Sequence, residues 1–111
     1  MSKKNKSEIL SRMNIGLFCR DFSGRFTYEA HDFPFKDYDS KKKEIAQAFG
    51  LLPFSATING VDESFQTYIK GLKRIGIEWD NWSGLSVVAK SKRAENLVEE
   101  IGSYLEETIK I

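Results

Sequence analysis

Six cations stand where two helices should begin: Lys41, Lys42 and Lys43 open one, and Lys90, Lys92 and Arg93 stand around the cap of the other. Basic residues in a first helical turn oppose the positive end of the helix dipole, at a cost of about 0.3–1 kcal/mol each when exposed. Unpaired backbone N–H groups beside a basic cluster are what an anion or phosphate requires, which makes these six residues a candidate anion-binding set. The plainer account is that long lysines splay into water, where the penalty is small and screened, and it weighs more for each helix taken alone. The anion reading gains if both helix starts lie at the same end of the fold.

Trp79 and Trp82 bracket a turn containing Asp80 and Asn81. Alternation puts Trp79 on the same face as Ile77, hence in the core. Trp82 sits inside the turn, where a large ring is either a lid over the hairpin or an anchor for a partner, because tryptophan is enriched in binding hot spots. Trp82, Asp80 and Asn81 are therefore the candidate partner-binding residues. His31 and Asp32, followed by Asp37 and Asp39, have neither the ligand number of a zinc site nor the spacing of a calcium loop, so turn-capping carboxylates account for them. Cys19 alternates with Ile15 and Leu17 and reads as a buried small hydrophobe. Neither a nucleophile elbow nor a phosphate-binding glycine loop is present. No catalytic residue, metal ligand or cofactor is assigned.

The elements that carry these residues follow from periodicity. Ile15, Leu17 and Cys19 alternate with their neighbours, as do Phe26, Tyr28 and Ala30, and Asp21 to Gly24 joins them as a hairpin. Asp39 or Ser40 caps a helix running to Phe49, which Gly50 ends. Phe54, Ala56 and Ile58 predict a third strand. Asp62 opens a second helix, with Phe65, Tyr68, Ile69, Leu72 and Ile75 at helical spacing and Gly76 as its stop. Ile77–Trp79 and Leu85–Ala89 form a second hairpin. Ser91 then caps a last helix, whose apolar stripe is Leu97, Val98, Ile101, Tyr104, Leu105 and Ile109. The order β-β-α-β-α-β-β-α implies an α+β domain, a largely antiparallel sheet with helices packed on it.

Composition bounds the rest. The 111 residues suit one domain, and a 41% hydrophobic, 30% charged mixture is globular. Residues 1–8 read as a flexible basic tail and 9–111 as the domain. Residues 1–12 hold four basic groups and one acidic group, leaving thirteen basic and fifteen acidic residues, too balanced for a dedicated nucleic-acid binder. No apolar stretch approaches the roughly 18 residues of a membrane span, so no membrane partner is expected. A single cysteine fits a reducing, cytoplasmic setting. The leading reading is a small non-catalytic domain that binds a protein partner in a regulatory or adaptor role. The alternative is a binder of nucleic acid or of a phosphorylated small molecule through the basic helix starts.

Overall fold

The structure is a computed structural model that describes residues 8–109. An antiparallel sheet runs in the order β1-β2-β3-β8-β7-β6-β4, with β5 added beside β6. Its strands are β1 (Glu8–Arg12), β2 (Leu17–Arg20), β3 (Phe26–Ala30), β4 (Leu52–Pro53), β5 (Ile58–Asn59), β6 (Glu63–Lys70), β7 (Lys73–Asp80) and β8 (Gly84–Ala89). Two helices, α1 (Tyr38–Phe49) and α2 (Glu95–Thr108), complete the α+β domain. Both helices cover one face. Tyr28, Ala30, Ile75, Ile77, Leu85, Val87 and Ala89 project from the sheet into a core shared with Ile45 of α1 and with Leu97, Val98, Ile101 and Leu105 of α2. The alternate residues Leu17, Cys19, Thr27, Ser86 and Val88 are buried on the opposite face. Leu17 and Cys19 thus point away from the helices, and Phe18 between them packs under α2 beside Tyr28.

Both predicted hairpins form, as β2–β3 and β7–β8. The helix that ends at Gly50 also forms, and Gly50 caps it in the left-handed conformation. The helix expected from Asp62 to Gly76 does not. That segment is the β6–β7 hairpin, the longest ladder in the sheet, in register from Glu63↔Asp80 to Lys70↔Lys73. The residues that β6 turns inward are Ser64, Gln66 and Tyr68, so its period of two carries no apolar signal. Their polar groups are satisfied inside: Ser64 Oγ donates to Asn59 Oδ1 at 2.6 Å, and Gln66 Nε2 to the Ser55 carbonyl at 2.8 Å. Gly71 supplies the positive φ of 62° at the first of two loop positions, which a tight hairpin connection asks for.

The strand expected over Phe54–Ile58 is interrupted. The Phe54 and Ser55 amides both donate to the Thr67 carbonyl, at 2.8 and 3.3 Å, and this local bulge leaves only the short pairings β4 and β5 on either side. Ser91 makes no helix-capping bond. Its Oγ accepts the Arg74 amide at 3.2 Å, and a single 3₁₀ turn over Lys92–Ala94 precedes α2. Residues 1–7 of the expected tail lie outside the described residues, and Glu8 already belongs to β1.

Candidate functional site

The two helices run in opposite directions, which decides where the six candidate cations lie. α1 starts where Tyr38 Oη donates to the Ile77 carbonyl at 2.7 Å and ends next to β4, opposite Ile69. α2 starts beside Arg74, where the Lys90 amide donates to the Arg74 carbonyl at 2.8 Å, and ends where Glu106 binds the amides of Ile15 and Gly16. The two helix starts therefore lie at opposite ends of the sheet, and their cations do not form one cluster.

Lysines 41, 42 and 43 are engaged within their own helix and its neighbours. Lys41 Nζ lies 3.0 Å from Glu44 Oε1, and Lys43 Nζ 3.1 Å from Asp39 Oδ2, each one helical turn away. Lys42 is buried, with only 2% of its surface exposed. Its ammonium donates to Thr57 Oγ1 at 2.7 Å and sits 5.0 Å from the centre of the Tyr38 ring. Thr57 passes the chain on to Gln66 Oε1 at 2.9 Å, where Tyr68 Oη also donates at 3.0 Å. Lys42 thus bolts α1 to the irregular segment before β5. Lys42→Ala leaves a cavity and unpaired polar groups, and is expected to lower the unfolding free energy by about 2–3 kcal/mol. Lys43→Ala, on the exposed side, should change it by no more than about 0.5 kcal/mol in the same urea titration.

The Trp82 turn stands at the end of the sheet where α1 begins. Asp80 builds it: its Oδ1 accepts the amides of Trp82 at 2.8 Å and Ser83 at 2.6 Å. The indole of Trp82 is not folded back as a lid but is 78% exposed. Trp79 packs against the core and donates Nε1 to the Phe33 carbonyl at 2.8 Å. Phe35 leans on the Trp79 ring, centroids 5.0 Å apart, and stacks on Tyr38. A cleft of about 330 Å³ opens between Phe35, Val61, Glu63, Trp79 and Asn81. The Asn81 amide donates to the Asp62 carbonyl at 3.2 Å and ties the Trp82 turn to the loop that carries Val61, which is 99% exposed. Asn81 thus brings the Trp82 turn beside the cleft that Phe35 and Val61 line, and of these two Val61 carries no signal in the sequence.

Acid surrounds the apolar rim of this cleft. Asp32, Asp37, Asp62, Glu63 and Asp80 all lie in or beside the loops at this end, against Lys36 and His31. Glu63 and Asp80 stand directly opposite each other in the β6–β7 ladder, a like-charge pairing that costs stability. His31 is paired with Glu29, its Nε2 2.7 Å from Glu29 Oε1, and not with the aspartates that follow it. Among the described residues no group of three or more His, Cys, Asp or Glu side chains is arranged to hold a metal.

The opposite end is its mirror in charge. Lys70, Lys73, Arg74, Lys92 and Arg93 converge there, and among the described residues none of them forms an ion pair. Lys70 and Lys73 are again a like-charge pair directly opposite in the ladder. Lys90 of the candidate set is tied down, its Nζ 3.0 Å from Glu78 Oε2. In a helix over 62–76, Lys70, Lys73 and Arg74 would stand at its end and merely complement its dipole. The hairpin fold is what brings them to Lys92 and Arg93.

Among the described residues no helix is long and apolar enough to cross a membrane. No protein-family model, curated protein or solved structure matches the chain.

Proposed function

We propose that this is a non-catalytic cytoplasmic domain that binds a protein partner through its acidic, aromatic end, and that the partner presents a basic surface. The observation that carries the reading is Trp82, 78% exposed on a turn fixed by Asp80, beside two carboxylates facing each other in the ladder. A flexible loop would lose ordering entropy on binding, whereas this rim is already set by hydrogen bonds. A cationic partner would offset the like charges of Glu63 and Asp80, which stand opposite in the ladder, as it docks. Acidic residues around the rim also speed encounter with a basic surface, and that contribution weakens with salt.

The test uses tagged protein in nuclease-treated native lysate, followed by affinity measurement with the protein recovered. Trp82→Ala should weaken binding by about thirtyfold, the effect of losing a hot-spot side chain worth about 2 kcal/mol. Its stability should stay within about 0.5 kcal/mol of the wild type, because the ring covers little of the core. Glu63→Lys should reduce the association rate more than it raises the dissociation rate. Recovery that is the same for wild type and for both variants would remove this end from consideration.

A further inference from the structure

We infer that the basic end is a second, separate site that binds single-stranded nucleic acid through its phosphate backbone, with bases stacked on exposed aromatic rings. Five cations without ion-pair partners are brought together there from two distant stretches of chain, 70–74 and 92–93. Directly opposed lysines 70 and 73 cost stability that an anion would return. The single-strand assignment rests on the order of residues across this end. Phe22 is 67% exposed on the β2–β3 turn, and Phe54 is 58% exposed beside β4. Arg74 lies over the Phe54 ring with its guanidinium carbon 5.7 Å from the centroid.

The β2–β3 turn and the β6–β7 turn are three strand spacings apart, about 14 Å, with Lys92 and Arg93 following β8 between them. Cations from 70–74 and 92–93 thus lie between Phe22 on one side and Phe54 on the other, a charged track with a ring at each flank that can follow a strand backbone and stack its bases. A bilayer surface would instead favour apolar side chains gathered into one wedge with cations around it. Here Phe22 and Leu72 sit on separate turns, with cations between them.

The experiment is fluorescence anisotropy of a labelled single-stranded DNA of about 12 nucleotides, within the length such surfaces engage. Five phosphate contacts predict an affinity that falls about a hundredfold between roughly 50 and 200 mM salt. Lys73→Glu combined with Arg93→Glu should weaken binding at least thirtyfold, and Phe54→Ala about tenfold. The matched control, Lys36→Glu with Lys43→Glu, makes the same charge change away from this end and should cost less than threefold. Circular dichroism of each variant separates loss of binding from loss of fold, and Phe54→Ala tests the stacking without changing charge. Equal loss in the control, or no oligonucleotide binding at low salt, would overturn the assignment. So would binding only to vesicles of phosphatidylcholine with about one-third phosphatidylglycerol. The partner-binding reading stands or falls separately, because Trp82→Ala leaves this end untouched.

Discussion

Glu106→Ala is expected to lower the unfolding free energy by about 3 kcal/mol or more, because one carboxylate holds together three parts of the chain. Glu106 Oε1 accepts the Ile15 amide at 2.9 Å, while Oε2 accepts the Gly16 amide at 2.8 Å and the Tyr28 hydroxyl at 2.7 Å. These bonds join the end of α2 to the loop before β2 and to the centre of β3. Truncation leaves two amides and a phenol without their acceptor, and hydrogen bonds to a charged group are the stronger kind. Burial works to raise the Glu106 pKa, but the bonds from Ile15, Tyr28 and Gly16 outweigh it and hold the pKa below the ordinary glutamate range. A folded pKa below the unfolded one means that the unfolded chain binds the proton more readily. The stabilisation is therefore fully present above the unfolded pKa and is lost as pH falls through the folded one. Glu44 is lowered as well, first by the hydrogen bond from Tyr104 and then by Lys41, against some desolvation. Urea titrations across the acid range should show the wild type losing stability below the ordinary carboxylate range. Glu106→Ala should show a shallower loss from a lower starting value. A wild-type-like midpoint for Glu106→Ala would contradict this account of how α2 is anchored.

Gly84→Ala should be comparably damaging, by about 4 kcal/mol, for two separate reasons. Gly84 has φ of +68°, where a side chain is strained. A Cβ there would also fall 2.2 Å from the Ala30 carbonyl oxygen and 2.7 Å from that of His31. Both obstacles are backbone atoms, one at the end of β3 and one just past it, so relief requires β8 to move away from β3. Gly24 separates the two causes. Its φ is +81°, but nothing lies within 4 Å of its Cβ position, so Gly24→Ala should cost about 1 kcal/mol only. Equal losses at the two positions would show that strain alone, and not the close approach of β3, sets the cost at Gly84. Because Gly84 closes the turn that presents Trp82, its alanine variant should also weaken partner binding beyond what its folded fraction explains.

Much of the architecture is legible where burial and periodicity agree. Tyr28 and Ala30, Ile77 and Trp79, and the Leu97–Leu105 stripe of α2 all follow the rule that apolar residues mark the inner face. The misread segment fails that rule for a local reason. Ser64 and Gln66 occupy core-facing positions and are satisfied by neighbouring side chains and backbone, so the inner face of β6 looks polar. Phe65 and Ile69 project to the other face, and with Tyr68 and Leu72 they imitate a helical stripe. β1 is harder still: all five of its residues are exposed, and only pairing with β2 makes it a strand.

The candidate sites divide in the same way. Trp82 stands out locally because a ring in a tight turn has no local partner. Phe35 and Val61 reach the same rim through tertiary contacts that no spacing encodes. Along the chain, lysines 41 to 43 form a run of like charge that suggests an anion cluster. Glu44 and Asp39, three and four residues away on the same helix, already answer Lys41 and Lys43 respectively. The basic end became visible only once β6 and β7 were paired. A net charge of +1 therefore conceals a molecule acidic at one end of its sheet and basic at the other.

The most direct test of the partner-binding claim places a photo-crosslinking amino acid at Asn81, exposed and next to Trp82, and at Glu100, exposed on α2. Irradiation in native lysate should give one discrete protein adduct from position 81 and none from position 100, and adding Trp82→Ala to the position 81 protein should abolish it. The absence of a discrete adduct at position 81, or the same adduct from both positions with and without Trp82, would contradict the assignment of this end as the binding surface.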